Sequence, residues 1–214
     1  MESANSSLAL AVVATLLVIW YFAKRRSRFT ISNAHRVGST VDGMQYRVFG
    51  ASGDAADALA ELNARVIGIM RMLRDRYVRA PTPGQTAAQR RAVARLLARY
   101  NPDNIVENSP RDPGHDTSYT IDKGQTLALC LRDRASNAIY DSDLLLFVTL
   151  HEMSHIAIED ITHSDEFWST FRFLLDAAEA AGLYECADYA RAPRMYCGLR
   201  VDHSPRWDPA IRSI

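Results

Sequence analysis

The sequence predicts an α+β domain of helices packed on a small sheet, preceded by one apolar helix at the N-terminus. Three features predict this class. They are an uncharged apolar run near the start, long stretches with apolar residues at every third or fourth position, and short alternating segments bounded by turn residues. A chain of 214 residues suits one domain with an appendage. We therefore assign residues 1–23 to an N-terminal anchor, 24–41 to a basic tether and 42–214 to the folded domain.

The apolar run at residues 8–23 has no charged side chain, and with Ser6 and Ser7 it reaches the lower length limit, about 18 residues, of a bilayer-spanning helix. Residues 20–22 are aromatic and four of residues 24–28 are basic. Aromatic residues favour the membrane interface, and basic flanks favour the cytoplasmic side. A cleaved signal peptide would need a basic start, which the sequence lacks. The segment thus predicts an uncleaved single-pass anchor, with the N-terminus outside and the domain on the cytoplasmic side.

The elements of the domain follow in chain order. Residues 44–49 alternate weakly and predict a strand. Residues 54–78 predict a helix whose core-facing stripe consists of Leu59, Leu62, Val66, Met70, Leu73 and Tyr77. Thr86 and Gln89 form a capping-box pattern for a second helix through Tyr100. Residues 101–116, rich in Pro, Asn, Asp and Gly, predict a loop, and residues 118–121 and 126–132 then predict a β-hairpin around Asp122-Lys123-Gly124-Gln125.

The composition leaves a nucleic-acid partner possible but does not favour one. The 25 basic and 25 acidic residues give a net charge of zero, so no global field attracts polyanions. The second predicted helix has a basic face that we interpret as a solvated surface, formed by Arg90, Arg91, Arg95 and Arg99. The cysteines do not make a disulfide framework and predict small buried side chains in a reducing compartment; they are Cys130, Cys186 and Cys197.

The segment His151-Glu152-Met153-Ser154-His155 is an H-E-x-x-H motif. The apolar residues 144–150 lead into it without Gly or Pro, and Asp141 or Ser142 can cap the start of the helix. Two histidines four residues apart lie one helical turn apart, so both rings can reach one ion. The glutamate between them can accept a proton from a water molecule at that ion. The motif therefore predicts a zinc hydrolase, most simply a peptidase.

A zinc site of this kind needs a third protein ligand, and His163 is our choice. On one unbroken helix, His163 would lie about 12 Å beyond His155, so the helix must end between them. Residues 158–162 suit such a break, and a second helix then starts near Thr162 or Ser164 and runs towards Gly182. Other third ligands remain open: Glu179, Asp160 or Asp165. Either aspartate could instead orient the histidines.

Residues 127–175 resemble the WLM family of metalloproteases, which belongs to the SprT-like (Spartan-like) zincins. The matching segments are Leu129-Cys130-Leu131-Arg132, Leu150 with the H-E-x-x-H motif, His163-Ser164 and Phe167-Trp168. The resemblance implies that His151, His155 and His163 bind zinc and that Glu152 is the general base. Residues 188–198 are similar to WLM-like proteins of large DNA viruses, which implies a viral or host-cell membrane for the anchor. Relatives that act on DNA–protein crosslinks carry recognition regions that are not recognisable in this chain.

These features together predict a membrane-anchored, zinc-dependent metallopeptidase with a zincin-like α+β domain at residues 42–214. Its partners would be the lipid bilayer and a protein or peptide substrate, bound along an exposed edge of the strand that precedes the motif helix. Candidates for stabilising the oxyanion are Tyr184, Tyr189, Tyr196, Arg194 and His203. Two alternatives stay open: a non-catalytic, membrane-anchored structural or interaction protein that keeps a zincin fold, and a DNA-dependent protease that acts on protein–DNA crosslinks.

Overall fold

The computed structural model describes residues 34–50, 52–108 and 117–214, which all belong to one compact unit, Ala34–Ile214. The described residues form four α-helices and a small mixed sheet, which confirms the α+β class. The helices are Gly53–Arg74 (α1), Ala87–Arg99 (α2), Ser142–Ala157 (α3) and Asp165–Ala180 (α4). The chain continues from α1 into one π-helical turn, Asp75–Arg79, and the predicted capping box of Thr86 and Gln89 starts α2.

The main sheet has five strands in the order β1-β2-β3-β5-β4. The strands are Ala34–Gly38 (β1), Gln45–Phe49 (β2), Ile105–Glu107 (β3), Tyr119–Ile121 (β4) and Thr126–Leu129 (β5). The two outer pairs are antiparallel, whereas β3 is parallel to both of its neighbours. A separate hairpin joins Arg194–Tyr196 (β6) and Leu199–Val201 (β7). The β4–β5 hairpin confirms the prediction for that segment.

Three sequence predictions about this sheet were wrong. The tether predicted for residues 24–41 overlaps β1, which is paired along its whole length with β2 through backbone groups while most of its side chains stay exposed. The loop predicted for residues 101–116 contains β3, the central strand of the sheet. The strand before the motif helix, β5, lies between β3 and β4 and is no edge; of the described strands, β4 is the edge on that side.

A buried ion pair explains why β3 ends in a charged residue. Glu107 is 1% exposed, and its carboxylate lies 3.3 Å from Nε of Arg132 and accepts a hydrogen bond from the Phe49 backbone N–H at 2.7 Å. The Arg132 guanidinium also contacts Asp54 at 2.9 Å. Burial raises the pKa of Glu107, and the Phe49 N–H and Arg132 oppose that rise. Glu107 and Arg132 thus connect β2 and β3 with the segment after β5, and Arg132 connects that segment with Asp54 at the start of α1.

Helix α3 lies at the centre of the core. The predicted stripe of α1 is buried throughout, and α3 is buried on nearly all sides, including the apolar residues 144–148 and Leu150. Of the residues that the structure describes, none lies in a helix both long and apolar enough to cross a membrane. The anchor predicted for residues 8–23 and its basic flank lie outside the described residues.

The prediction that the cysteines stay unpaired was wrong for two of them. Cys130, directly after β5, forms a disulfide with Cys197 in the β6–β7 hairpin, with the two Cα atoms 6.5 Å apart. Cys186 is free and buried. Cys130 and Cys197 are 67 positions apart in the sequence, so only the tertiary fold brings them together. The predicted reducing compartment was argued from unpaired cysteines, and the disulfide removes that argument.

We expect the disulfide to stabilise the fold by closing a long loop. The chain-entropy relation for a separation of 67 residues gives about 4 kcal/mol of unfolding free energy. Urea titration of the oxidised protein and of a Cys197→Ser variant should show this loss, and a Cys186→Ser variant serves as the unpaired control. Thiol counting in denaturant without reductant should find one free thiol per chain. A count of three would show that the pair does not form.

Candidate metal centre

Helix α3 carries the H-E-x-x-H motif near its C-terminal end. The Asp141 side chain caps the helix start by accepting hydrogen bonds from the N–H groups of Asp143 and Leu144. The helix continues to Ala157, so His151 and His155 lie one turn apart on a rigid segment. Both histidines are half-buried and Glu152 is buried. The helical placement of the motif therefore confirms the sequence prediction.

The chain leaves α3 at Ile158 and turns back, as the break between the second and third histidines requires. The Asp160 carboxylate accepts hydrogen bonds from the backbone N–H of Thr162 at 3.0 Å and from its hydroxyl at 2.6 Å. These hydrogen bonds lower the pKa of Asp160 to about 2. Ser164 then caps α4 by accepting from the N–H of Phe167 at 3.4 Å. His163 thus sits between a closed turn and a new helix.

The turn brings all three predicted ligands together. Nε2 of His163 lies 3.1 Å from Nε2 of His151 and 3.3 Å from Nε2 of His155, and one ligand atom from each residue lies within 4.8 Å of the others. Ligands at about 2.0–2.1 Å in a tetrahedron around zinc are about 3.3–3.4 Å apart. The nitrogen atoms therefore fit three corners of one zinc site. His163 is exposed, so the fourth corner can open to solvent.

Burial keeps two of these histidines in the neutral form that binds metals. Desolvation, helped by the other two histidines, lowers the pKa of His151 to about 3. Desolvation, followed by the influence of His163, lowers the pKa of His155 to about 4. A neutral imidazole presents the lone pair of one ring nitrogen to a cation, whereas a protonated imidazole has no free lone pair. The arrangement is thus suited to a cation.

Phe167 forms the wall on which the three imidazole rings pack. Its side chain is fully buried, and its ring centroid lies 4.8 Å from that of His151, 4.4 Å from that of His155 and 4.6 Å from that of His163. Trp168 packs on the outer side, with its ring 5.7 Å from that of His163. The contact with Phe167 restricts how each imidazole can rotate. The sequence showed Phe167-Trp168 only as part of a resemblance, and the structure shows which contacts it makes.

Glu152 is placed as a group that can exchange protons. It is 7% exposed, and burial alone raises its pKa to about 8. Burial raises the pKa of the nearby Tyr196, and the negative charge of Glu152 raises it further. The Tyr196 hydroxyl lies 2.5 Å from Oγ of Ser118, which also accepts from the N–H of Cys130 at 3.0 Å.

The other sequence-predicted site residues are placed differently. Glu179 accepts hydrogen bonds from Arg206 at 2.7 Å and from the N–H of Cys186 at 3.3 Å, and it lies outside the histidine cluster. Asp160 and Asp165 also lie outside it, since among the described residues the candidate cluster of metal ligands consists of the three histidines. Asp160 closes the turn rather than orienting a ring.

The candidate oxyanion residues are not equally close to the cluster. Tyr184 and Tyr189 are buried core residues, and Arg194 is exposed on β6. His203 is exposed, and its ring lies 5.3 Å from that of Trp168, one aromatic ring away from His163. Tyr196 and His203 are therefore the two candidates that adjoin the site.

The basic face of α2 was predicted to be solvated, and this was wrong for two of its residues. Arg95 and Arg99 donate hydrogen bonds to backbone carbonyls at the C-terminal end of α3 and pair with Glu159. Lys123 also donates a hydrogen bond to that helix end, a contact that no sequence motif indicates. The only sequence signal was its place in the predicted hairpin turn, which does not reveal what the turn packs against.

Comparison with known proteins shows relatives in large DNA viruses. The chain is 31% identical over 200 residues to the uncharacterized protein R325 of Acanthamoeba polyphaga mimivirus. The aligned region covers 92% of this chain and 94% of that protein. It is 36% identical over 107 residues to the uncharacterized protein 136R of Invertebrate iridescent virus 6, covering 49% of this chain and 57% of that one. No family model and no solved structure matches. The chain therefore belongs to the family of the mimivirus protein R325.

The raised pKa of Glu152 predicts how the metal-free protein responds to pH. The unfolded chain releases this proton near pH 4.5, whereas the folded protein holds it to about pH 8, so the free energy of unfolding falls as the pH rises between these values. The lowered histidine pKa values destabilise the fold only below about pH 6.5, where the unfolded chain gains protons. When the pH rises from 6.5 to 8, the ionisation of Glu152 should therefore lower the free energy of unfolding by about 1.5 kcal/mol.

Urea unfolding of the chelator-treated protein at pH 6.5 and pH 8 measures this cost. A Glu152→Gln variant should lack the loss, because its side chain does not ionise. Equal losses in the two proteins would show that Glu152 does not titrate in this range.

Proposed function

We propose that this chain is a zinc-dependent metallopeptidase with a zincin-like domain, in which His151, His155 and His163 bind zinc and Glu152 is the general base. The proposal rests on the approach of His163 Nε2 to within 3.1 Å and 3.3 Å of Nε2 of His151 and His155, next to a buried glutamate in an H-E-x-x-H helix. The resemblance of residues 127–175 to WLM and SprT-like zincins supports the same class. The proposal also includes the membrane anchor predicted for residues 8–23.

The residues of the site have distinct tasks in peptide hydrolysis. Zinc, when bound, polarises the scissile carbonyl and makes a water molecule more acidic. Glu152 accepts the proton of the attacking water and passes it to the leaving amine. Burial raises the pKa of this carboxyl to about 8 in the metal-free protein, and a bound divalent cation would favour the carboxylate form that accepts the proton. Tyr196, which senses the charge of Glu152, and His203, which packs on Trp168, are the candidates for stabilising the developing oxyanion.

The position of β4 supports a peptide as the substrate. Of the described strands, β4 lies at the edge of the sheet, directly before the turn that carries Lys123. Lys123 contacts the His155 carbonyl, and Ser118, directly before β4, forms a hydrogen bond with Tyr196. An extended peptide can add to such an edge by main-chain hydrogen bonds. The binding edge for an extended peptide would thus be β4 instead of β5.

A catalytic site explains the residues better than a purely structural zinc site or a DNA-dependent protease. Structural zinc sites are closed by four protein ligands, whereas the described residues supply three. A structural site also gives no role to a buried glutamate with a raised pKa. For the DNA-dependent alternative, Arg95 and Arg99 of the basic face are already engaged with Glu159 and the end of α3.

Metal analysis tests the ligand set. The full-length chain, purified in detergent, should contain about one zinc, and a His163→Ala variant should lose most of it because two histidines alone bind weakly. A Glu179→Ala variant is the matched control, since Glu179 bonds with Arg206 instead. If His163→Ala keeps its zinc and Glu179→Ala loses it, Glu179 and not His163 is the third ligand. An absence of zinc in the parent chain would overturn the proposal.

A cleavage assay tests the general base. The zinc-loaded chain, incubated with a library of unstructured peptides and analysed by mass spectrometry, should cleave peptide bonds. The Glu152→Gln variant should be slower by about 10²–10⁴-fold while it keeps its zinc. Unchanged cleavage in the variant would refute the role of Glu152. A parent that binds zinc without cleaving any peptide would favour the structural alternative.

A further inference from the structure

The C-terminal end of α3 connects the two segments that carry the proposed ligands. His151 and His155 are on the helix, whereas His163 reaches them only through the turn that begins at Ile158. The last four carbonyl groups of a helix have no partner within it. The orientation of the chain beyond such an end depends on what binds these carbonyls. Here three basic side chains from outside the helix do so.

Lys123 spans the break between the second and third ligands. Its ammonium group donates to the backbone carbonyl of His155 at 3.0 Å and to that of Asp160 at 2.7 Å. The first carbonyl belongs to a ligand residue, and the second belongs to the residue whose carboxylate closes the turn before His163. One side chain thus sets the distance between the helix end and the turn.

The hairpin turn is shaped to present Lys123 to this place. Asp122 and Lys123 have φ angles of 46° and 53°, in the left-handed region that non-glycine residues usually avoid. Gly124 has φ 107°, and a Cβ atom there would lie 2.9 Å from the Arg99 carbonyl oxygen and 3.1 Å from the Ile156 side chain. The turn therefore packs against the ends of α2 and α3 without room for a methyl group.

Two arginines of α2 bind the neighbouring carbonyls. Arg99 donates to the carbonyl of Ile156 at 3.1 Å, and Arg95 donates to that of Ala157 at 3.3 Å. Both guanidinium groups pair with Glu159, at 2.5 Å and 3.2 Å respectively. The carbonyls of three consecutive residues, 155–157, thus have cationic donors. Lys123 differs from the arginines because it alone of the three also holds the Asp160 carbonyl.

We propose that Lys123 is a positioning residue of the metal centre, which holds the His163 turn at the distance from His155 that lets all three histidines reach one ion. This inference rests on the proposed metal binding. His151 and His155 keep their spacing through the helix itself, so loss of Lys123 affects mainly the third ligand. The variant should then behave as a weaker version of His163→Ala.

The test is the zinc affinity of the full-length chain in detergent, measured by competition with a chromophoric chelator. Lys123→Met keeps an unbranched chain without the donor, and we expect it to weaken zinc binding by about 10–100-fold, the usual effect of losing a group that orients a ligand. Lys123→Arg keeps a cationic donor and should restore most of the affinity. Arg91→Met, at an exposed position of the same basic face on α2, is the control and should leave the affinity unchanged.

The absorption spectrum of bound Co²⁺ separates positioning from general stability. In Lys123→Met the spectrum should shift towards that of His163→Ala, because the third ligand is displaced; a change in stability alone would leave the spectrum of the bound ion unaltered. Wild-type affinity and spectrum in Lys123→Met would overturn the inference while leaving the metal site intact. No zinc in the parent chain would instead refute the proposed function. If Lys123→Met does not fold, Lys123→Gly takes its place, because it lacks the donor and readily adopts the left-handed φ of this position, and wild-type affinity in that variant would likewise overturn the inference.

Discussion

The candidate site depends on how helix α3 ends. A single helix can present two histidines to one ion, but a third histidine eight positions further on would lie about 12 Å away along the axis. The helix therefore has to stop at Ala157, and its free carbonyls have to find partners. Basic side chains from α2 and from the β4–β5 turn supply these partners, and the Asp160 carboxylate closes the turn that follows. The termination of one helix thus connects the sheet, α2 and the metal ligands.

Burial around the site acts on its ionisable groups in opposite directions. It lowers the pKa of His151 and His155 and so keeps their nitrogen atoms free to bind a cation. It raises the pKa of Glu152 and so favours a protonated carboxyl in the absence of metal. A bound divalent cation would compensate for both effects, because it uses the neutral imidazoles and stabilises the carboxylate. The apolar surroundings, with Phe167 against all three rings, are therefore part of the chemistry of the site.

The segment after α4 is integrated into the same unit. Arg172 of α4 donates to the carbonyls of Pro205 and Asp208, and the Cys130–Cys197 disulfide joins β5 to the β6–β7 hairpin. The hairpin places Tyr196 near Glu152. The similarity to the mimivirus protein R325 extends over 92% of the chain, which is far more than the motif helix and the helix after it. The relationship to that protein therefore does not rest on the motif region alone.

The four helices, the β4–β5 hairpin and the site residues His151, Glu152 and His155 could be predicted from the sequence, because their signals are local. The apolar stripe of α1, the capping box of α2 and the spacing of His151, Glu152 and His155 each lie within a few turns of one helix. His163 could be inferred because geometry forbids one continuous helix. The tertiary structure alone decided that β3 is the central strand, that Cys130 pairs with Cys197, and that Arg95, Arg99 and Lys123 bind the end of α3. These contacts join residues that are far apart in sequence, and no local pattern of residue types shows which distant segments will pack together.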